Sequence, residues 1–169
     1  LFRGKTTRDS KEAGKLMHEL ETVDAMETIR EAIAETKRTY QTQKIAITGY
    51  CMGGTFALRG ACEMKELAAA APFYGDIPEE KVLAKLEVPT IFFAGTRDAW
   101  ISPQKVGSLK EAARKYQLPI ETISYDADHA FFNDTRPEVY NAAAAADAWQ
   151  RVLKFFRENL SEVARSSGA

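Results

Sequence analysis

The 169-residue chain holds two cysteines and two histidines, no block of like charge and no long apolar run. Each shortage excludes something. Cys51 and Cys62 are too few for a disulfide framework or for a zinc site with the usual ligand count. On one shared helix their spacing would correspond to about 16 Å of rise, well past the ~7 Å between Cα atoms that a disulfide tolerates. Both are expected as free thiols of a reducing compartment, and the expected location is cytoplasmic. The longest apolar stretch, residues 67–74, is far too short to span a bilayer, so no membrane partner is expected. Lys and Arg number 23 against 24 Asp and Glu, for a net charge of −1. That balance offers nothing to attract nucleic acid or an anionic membrane. No internal repeat is present.

What remains is ordinary globular composition, 45% hydrophobic and 28% charged, of a length that suits one domain over 1–169. Such a chain can bury roughly 70% of its extended surface, enough for a core without staples. Residues 1–15 are polar and carry Gly4 and Gly14, and read as a flexible lead-in. The first residue is Leu1 rather than Met, so the true N-terminus is expected to lie upstream. Leu16, Leu20, Val23, Met26, Ile29 and Ile33 recur at steps of three and four, which predicts one amphipathic helix ending near Thr39.

A regular alternation follows. Strands are predicted at residues 44–48, 67–74, 88–94 and 120–125, each a short β-branched or continuous apolar run. Helices are predicted at 53–62, 79–86 and from Ser102-Pro103 to about Tyr116, the last opened by an N-cap followed by proline. Thr135-Arg136-Pro137-Glu138 fits a capping box, and the helix it opens carries Tyr140, Trp149, Val152, Leu153, Phe156 and Leu160 on one stripe. Apolar strands separated by helices predict an α/β fold, three layers α/β/α around a mainly parallel sheet.

Ligands of such sheets sit beyond the carboxyl ends of the strands. Polar residues there are Cys51 after the first strand, Asp76 after the second, Arg97, Asp98 and Trp100 after the third, and Asp126, Asp128 and His129 after the fourth. Gly49-Tyr50-Cys51-Met52-Gly53-Gly54 has the shape of a nucleophile elbow with Cys in place of Ser. Glycines at 49 and 53 remove Cβ atoms that would clash in so tight a turn. Cys51 then sits at a helix start, where the dipole and free N–H groups favour thiolate. The backbone N–H of Met52 is placed to donate to an oxyanion. A lone cysteine is most often a buried thiol, but glycines on both sides at elbow spacing favour a nucleophile here; a lone histidine is as often structural, and a thiol and an acid on the same rim favour a general base. Asp98 is the preferred acid and Asp76 the runner-up. Asp126 and Asp128 read as turn formers, Arg97 as an exposed charge and His18 as a surface residue of the first helix. The glycine spacing is that of neither phosphate-binding loop, and no cofactor or metal is expected.

These residues, with the turn ending in Asp98 and Asp128-His129-Ala130-Phe131, resemble the dienelactone hydrolase family (carboxymethylenebutenolidases) of the α/β-hydrolase fold, from about Leu20 to Leu160. The resemblance implies Cys51 as nucleophile, His129 as base and Asp98 as the acid, with Trp100 and Phe131 lining an acyl pocket. It also implies a small ester or lactone as substrate. Two departures accompany it. The family's strands before this point, with a second oxyanion donor and a carboxylate-binding arginine, have no counterpart here. A further family arginine after the histidine corresponds to Asn133, with Arg136 the first cation beyond. The chain therefore looks like the C-terminal portion of such a fold, with about four strands. A sheet edge left open would invite pairing with a second copy. The alternative function is a non-catalytic fragment or interaction module that retains the same residues.

Overall fold

The computed structural model describes residues 1–161. They fall into two compact units divided between Gln43 and Lys44. In the first, α1 (Ser10–His18) is capped by the Asp9 side chain, which accepts from the N–H of Glu12. Its second helix, α2 (Thr22–Tyr40), begins in extended backbone at Glu21 and ends at Gln41 in the left-handed region. Two expectations are corrected here. Residues 10–15 are helical, because Asp9 supplies the side-chain acceptor that a helix N-terminus needs. The single helix expected from Leu16 is two: Leu20 lies in the break, where its N–H turns back to Met17 O.

The second unit runs β1 (Ile45–Tyr50), α3 (Met52–Glu63), β2 (Leu67–Phe73), α4 (Glu80–Leu83), β3 (Thr90–Gly95), α5 (Pro103–Tyr116), β4 (Ile120–Tyr125) and α6 (Ala142–Leu160). The strands form one parallel sheet in the order β1-β2-β3-β4. Its two faces are covered by different helices. Ala71, Phe73, Ile91 and Phe93 point toward Ala144, Ala148 and Val152 of α6. Ile47 pairs with Ala70, one residue out of step with Ala71, so it faces the other way, and there its side chain meets α3 near Gly60. This is the α/β/α layering expected from the alternation.

Pro72 stands inside β2, an unusual place for a residue without an N–H. The N–H groups of Ala70 and Tyr74 donate to Pro89 O and Phe93 O of the β3 side. Pro72 occupies the intervening slot, and β2–β3 register is kept only at Ala70–Thr90 and Phe73–Phe93. Across that gap Phe73 stacks on Phe93 with centroids 4.4 Å apart, an aromatic pair that contributes about 1 kcal/mol beyond its burial.

The last helix starts later than expected. Asn141, rather than Thr135, is its N-cap, accepting from Ala144 N–H. Residues 133–140 form turns, in which the Asn133 side chain accepts from the N–H and hydroxyl of Thr135. Asn141 is fixed there because its own N–H donates to Phe131 O. Among the described residues no helix is long and apolar enough to cross a membrane.

Backbone meets backbone closely where α3 crosses the sheet. A Cβ on Gly54 would lie 2.2 Å from Phe73 O, whereas one on Gly107 in α5 would meet nothing within 4 Å. Gly54→Ala is expected to destabilise by about 3 kcal/mol through overpacking against main chain. Gly107→Ala is expected to stabilise by about 0.5–1 kcal/mol. Urea midpoints of the two variants measure the contrast, and equal shifts would contradict it.

Candidate active site

The site is built on loops that leave the carboxyl ends of all four strands. β1 turns sharply into α3 at Cys51, which is the N-cap residue with φ 54° and ψ −118°. A side chain at such φ is strained, and the turn holds it by close packing: a Cβ on Gly49 would lie 2.1 Å from Gly53 O. The Cys51 N–H donates to Phe73 O at 3.1 Å, tying the turn to the end of β2. Met52 begins the helix, and its backbone N–H lies near enough to the Cys51 sulfur to favour the thiolate.

Asp98 lies in the loop after β3 and is almost fully buried. One carboxylate oxygen, Oδ1, accepts from the N–H groups of Trp100 at 2.8 Å and Ile101 at 2.9 Å. The other, Oδ2, stands 2.7 Å from His129 Nδ1. His129 Nε2 is in turn 3.2 Å from Cys51 Sγ. An Nδ1–H donated to Asp98 leaves Nε2 facing sulfur, the tautomer that accepts a thiol proton.

The other candidates fall elsewhere. Asp76, the alternative acid, is exposed and pairs with Lys105 at 2.7 Å. His18 is exposed on α1. Asp126 and Asp128 both pair with Arg97, the latter at 3.1 Å. Arg97 therefore links the loop carrying Asp98 to the loop carrying His129, a role that its exposure did not suggest. Its backbone does the same, donating to Ala127 O at 3.0 Å.

The hydrogen bond from His129 holds the Cys51 pKa below the ordinary thiol value; the Met52 N–H adds to this, while partial burial and the Asp98 charge oppose it. Burial works against a charge on His129, but its bonds to Cys51 and Asp98 outweigh that and raise its pKa. The two shifts draw thiol and imidazole together and favour a thiolate–imidazolium pair. Cys62, buried beside Glu63, is pushed the opposite way, up to about 12.

A hollow of about 440 Å³ opens over Cys51, walled by Tyr50, Tyr74, Ala130, Phe132, Asn133 and Asp134. Phe131, expected in this wall, is instead fully buried in the core against Tyr74 and Tyr125. The following residue, Phe132, is the one that reaches the hollow. Trp100 is largely exposed, with its ring 4.9 Å from that of His129. Tyr74 was not anticipated: its ring centroid lies 5.0 Å from that of His129. The signal available in sequence was its place just after β2, before Gly75. Arg136 pairs with Glu138 at 2.8 Å. Among the described residues no group of three or more His, Cys, Asp or Glu side chains is arranged to hold a metal ion.

The sequence matches the dienelactone hydrolase family over residues 1–160. A carboxymethylenebutenolidase-like protein of Aquifex aeolicus is 29% identical, the match covering 94% of this chain and 72% of that one. One from Yersinia pestis is 35% identical over 70% of this chain and 48% of its own length. Among solved structures, a dienelactone hydrolase-like protein of Klebsiella pneumoniae superposes with TM-score 0.63 at 31% identity, covering 67% of this chain and 51% of that one. An esterase of Pyrococcus furiosus, TM-score 0.66 at 18% identity over 80% of this chain and 62% of its own, shares the fold. The chain thus spans about half the length of the Yersinia and Klebsiella proteins.

The coupled shifts make a direct prediction for thiol chemistry. Iodoacetamide should alkylate Cys51 at pH values below the ordinary thiol pKa, with the rate falling as pH drops through the lowered value. Cys62 should stay unmodified, and His129→Ala should return Cys51 to an ordinary profile. Peptide mass mapping against pH reads all three; a Cys51 profile indifferent to His129 would contradict the coupling.

Proposed function

The chain belongs to the dienelactone hydrolase family, and from that premise we propose that it hydrolyses a small carboxylic ester or lactone through an acyl-enzyme formed on Cys51. The observation that carries the reading is the unbroken line from Cys51 Sγ to His129 Nε2 at 3.2 Å and from His129 Nδ1 to Asp98 Oδ2 at 2.7 Å. Nucleophile, base and orienting acid need just such reach.

In this mechanism the Cys51 thiolate attacks the substrate carbonyl carbon and forms a C–S bond. The Met52 N–H donates to the developing oxyanion, a contribution worth roughly a hundredfold or more in rate. Collapse breaks the C–O bond, and imidazolium His129 gives its proton to the departing alkoxide. The product is a thioester on Cys51. Neutral His129 then takes a proton from water as that water attacks the thioester carbonyl. Collapse of the second tetrahedral adduct releases the carboxylic acid and returns the thiolate–imidazolium pair. Asp98 keeps the imidazole in one tautomer and stabilises its charge throughout. The aromatic wall of Tyr50, Tyr74 and Phe132 suits an apolar acyl or alkoxy group.

Turnover of p-nitrophenyl acetate tests the reading. Cys51→Ala is expected to lower kcat/KM by about a thousandfold or more, and Asp98→Asn by on the order of a hundredfold or more. Mass spectrometry of the quenched wild-type protein should find the acetyl group on Cys51. Full turnover by Cys51→Ala would overturn the assignment. A chain with neither turnover nor a reactive Cys51 would be a binding module instead.

A further inference from the structure

Tyr50, Phe132 and Asp134, which wall the hollow over Cys51, also line a neighbouring one of about 420 Å³, which Tyr140 and Trp149 close on the α6 side. Its walls are rings set at angles to one another. Tyr50 and Phe132 have centroids 5.1 Å apart, and Phe132 and Trp149 meet edge-on at 6.3 Å. Tyr50, Tyr140 and Trp149 are each more than a third exposed, a large aromatic area to leave in water beside a reactive thiol.

The charge in this place has one sign. Asp134 lines both hollows and is exposed. No cationic side chain lines either hollow, and Arg136, two residues on, is paired with Glu138. Aromatic rings attract organic cations through their negative quadrupole, and a hollow lined by four rings and one carboxylate, with no cation of its own, suits an organic cation rather than a small hydrated one. A carboxylate-bearing substrate would meet repulsion from Asp134 here.

We propose that the second hollow is a subsite for an alkylammonium group, so that the substrate is an ester whose alcohol or acyl portion ends in a tertiary or quaternary amine while its carbonyl lies over Cys51. The inference rests on the ester-hydrolase reading for the carbonyl's position, and on the hollow's own walls for the cation.

Two measurements test it, with acetylcholine and its neutral carbon isostere (carbon in place of the ammonium nitrogen) as the matched pair. In turnover, kcat/KM should favour the cation by about tenfold, the effect of two exposed ring contacts. Asp134→Asn and Trp149→Ala should each shrink that preference, chiefly through KM. In binding, Cys51→Ala protein should take up choline in ligand-observed NMR in preference to the isosteric alcohol, and should ignore the isosteric carboxylate. Equal kcat/KM for the pair, with p-nitrophenyl acetate still hydrolysed, overturns the subsite and leaves the Cys51 reading standing. Absence of all ester turnover overturns the Cys51 reading, and the binding measurement then decides the subsite alone: selective choline binding upholds it, and indifferent or absent binding removes it.

Discussion

The imidazole of His129 is held at both nitrogens, by a buried carboxylate on one side and a sulfur on the other, and the chemistry available to this molecule depends on both bonds existing together. Asp98 can serve only because its other oxygen is already saturated by two backbone N–H groups of its own loop. A buried carboxylate without those donors would be costly. With them, it has one acceptor left and one direction in which to offer it. The sulfur is fixed just as firmly, by a strained turn whose N–H is tied to the end of the neighbouring strand.

Four main-chain bonds beyond the strand ends make this register: Cys51 N–H to Phe73 O, Tyr74 N–H to Phe93 O, Thr96 N–H to Tyr125 O and Arg97 N–H to Ala127 O. Each ties the segment leaving one strand to the neighbouring strand or to the loop that follows it. The Arg97 guanidinium repeats the last link through Asp126 and Asp128. Exposed pairs of that kind add little to stability, but this one sits one residue before Asp98 and engages the residue before His129. Tyr74 and Trp100 then pack near the ring, with centroids at 5.0 and 4.9 Å. A parallel sheet places strand ends on one rim; these bonds bring the rim to hydrogen-bonding distance.

Much of this could be read from the chain before any coordinates. The four strands and the Gly-x-Cys-x-Gly turn are local patterns, and local patterns survive folding. Asp98 could be preferred over Asp76 because it closes a strand, and the structure puts Asp76 against Lys105 instead. What could not be read depended on neighbours distant in sequence. Phe131 and Phe132 are adjacent and chemically alike; only the turn after His129, with Ala130 at φ 64°, decides which enters the core. The apolar period from Leu16 to Ile33 runs through a helix break, because periodicity records which face is apolar and not whether the backbone is continuous. Thr135 offered a capping box, yet Asn141 caps the helix, since its N–H is claimed by Phe131 O. Trp149 read as helix stripe and turned out to wall a hollow.

The coupling between imidazole and sulfur is tested most directly by the titration of His129 itself, followed through its ring nitrogens by NMR. His129 gains stability for its charged form from the Cys51 and Asp98 bonds, so the wild-type ring should titrate above the ordinary histidine value. Cys51→Ala removes one of those bonds and leaves burial, which favours the neutral ring, so the apparent pKa should fall. Identical titration curves with and without the Cys51 sulfur would contradict the account.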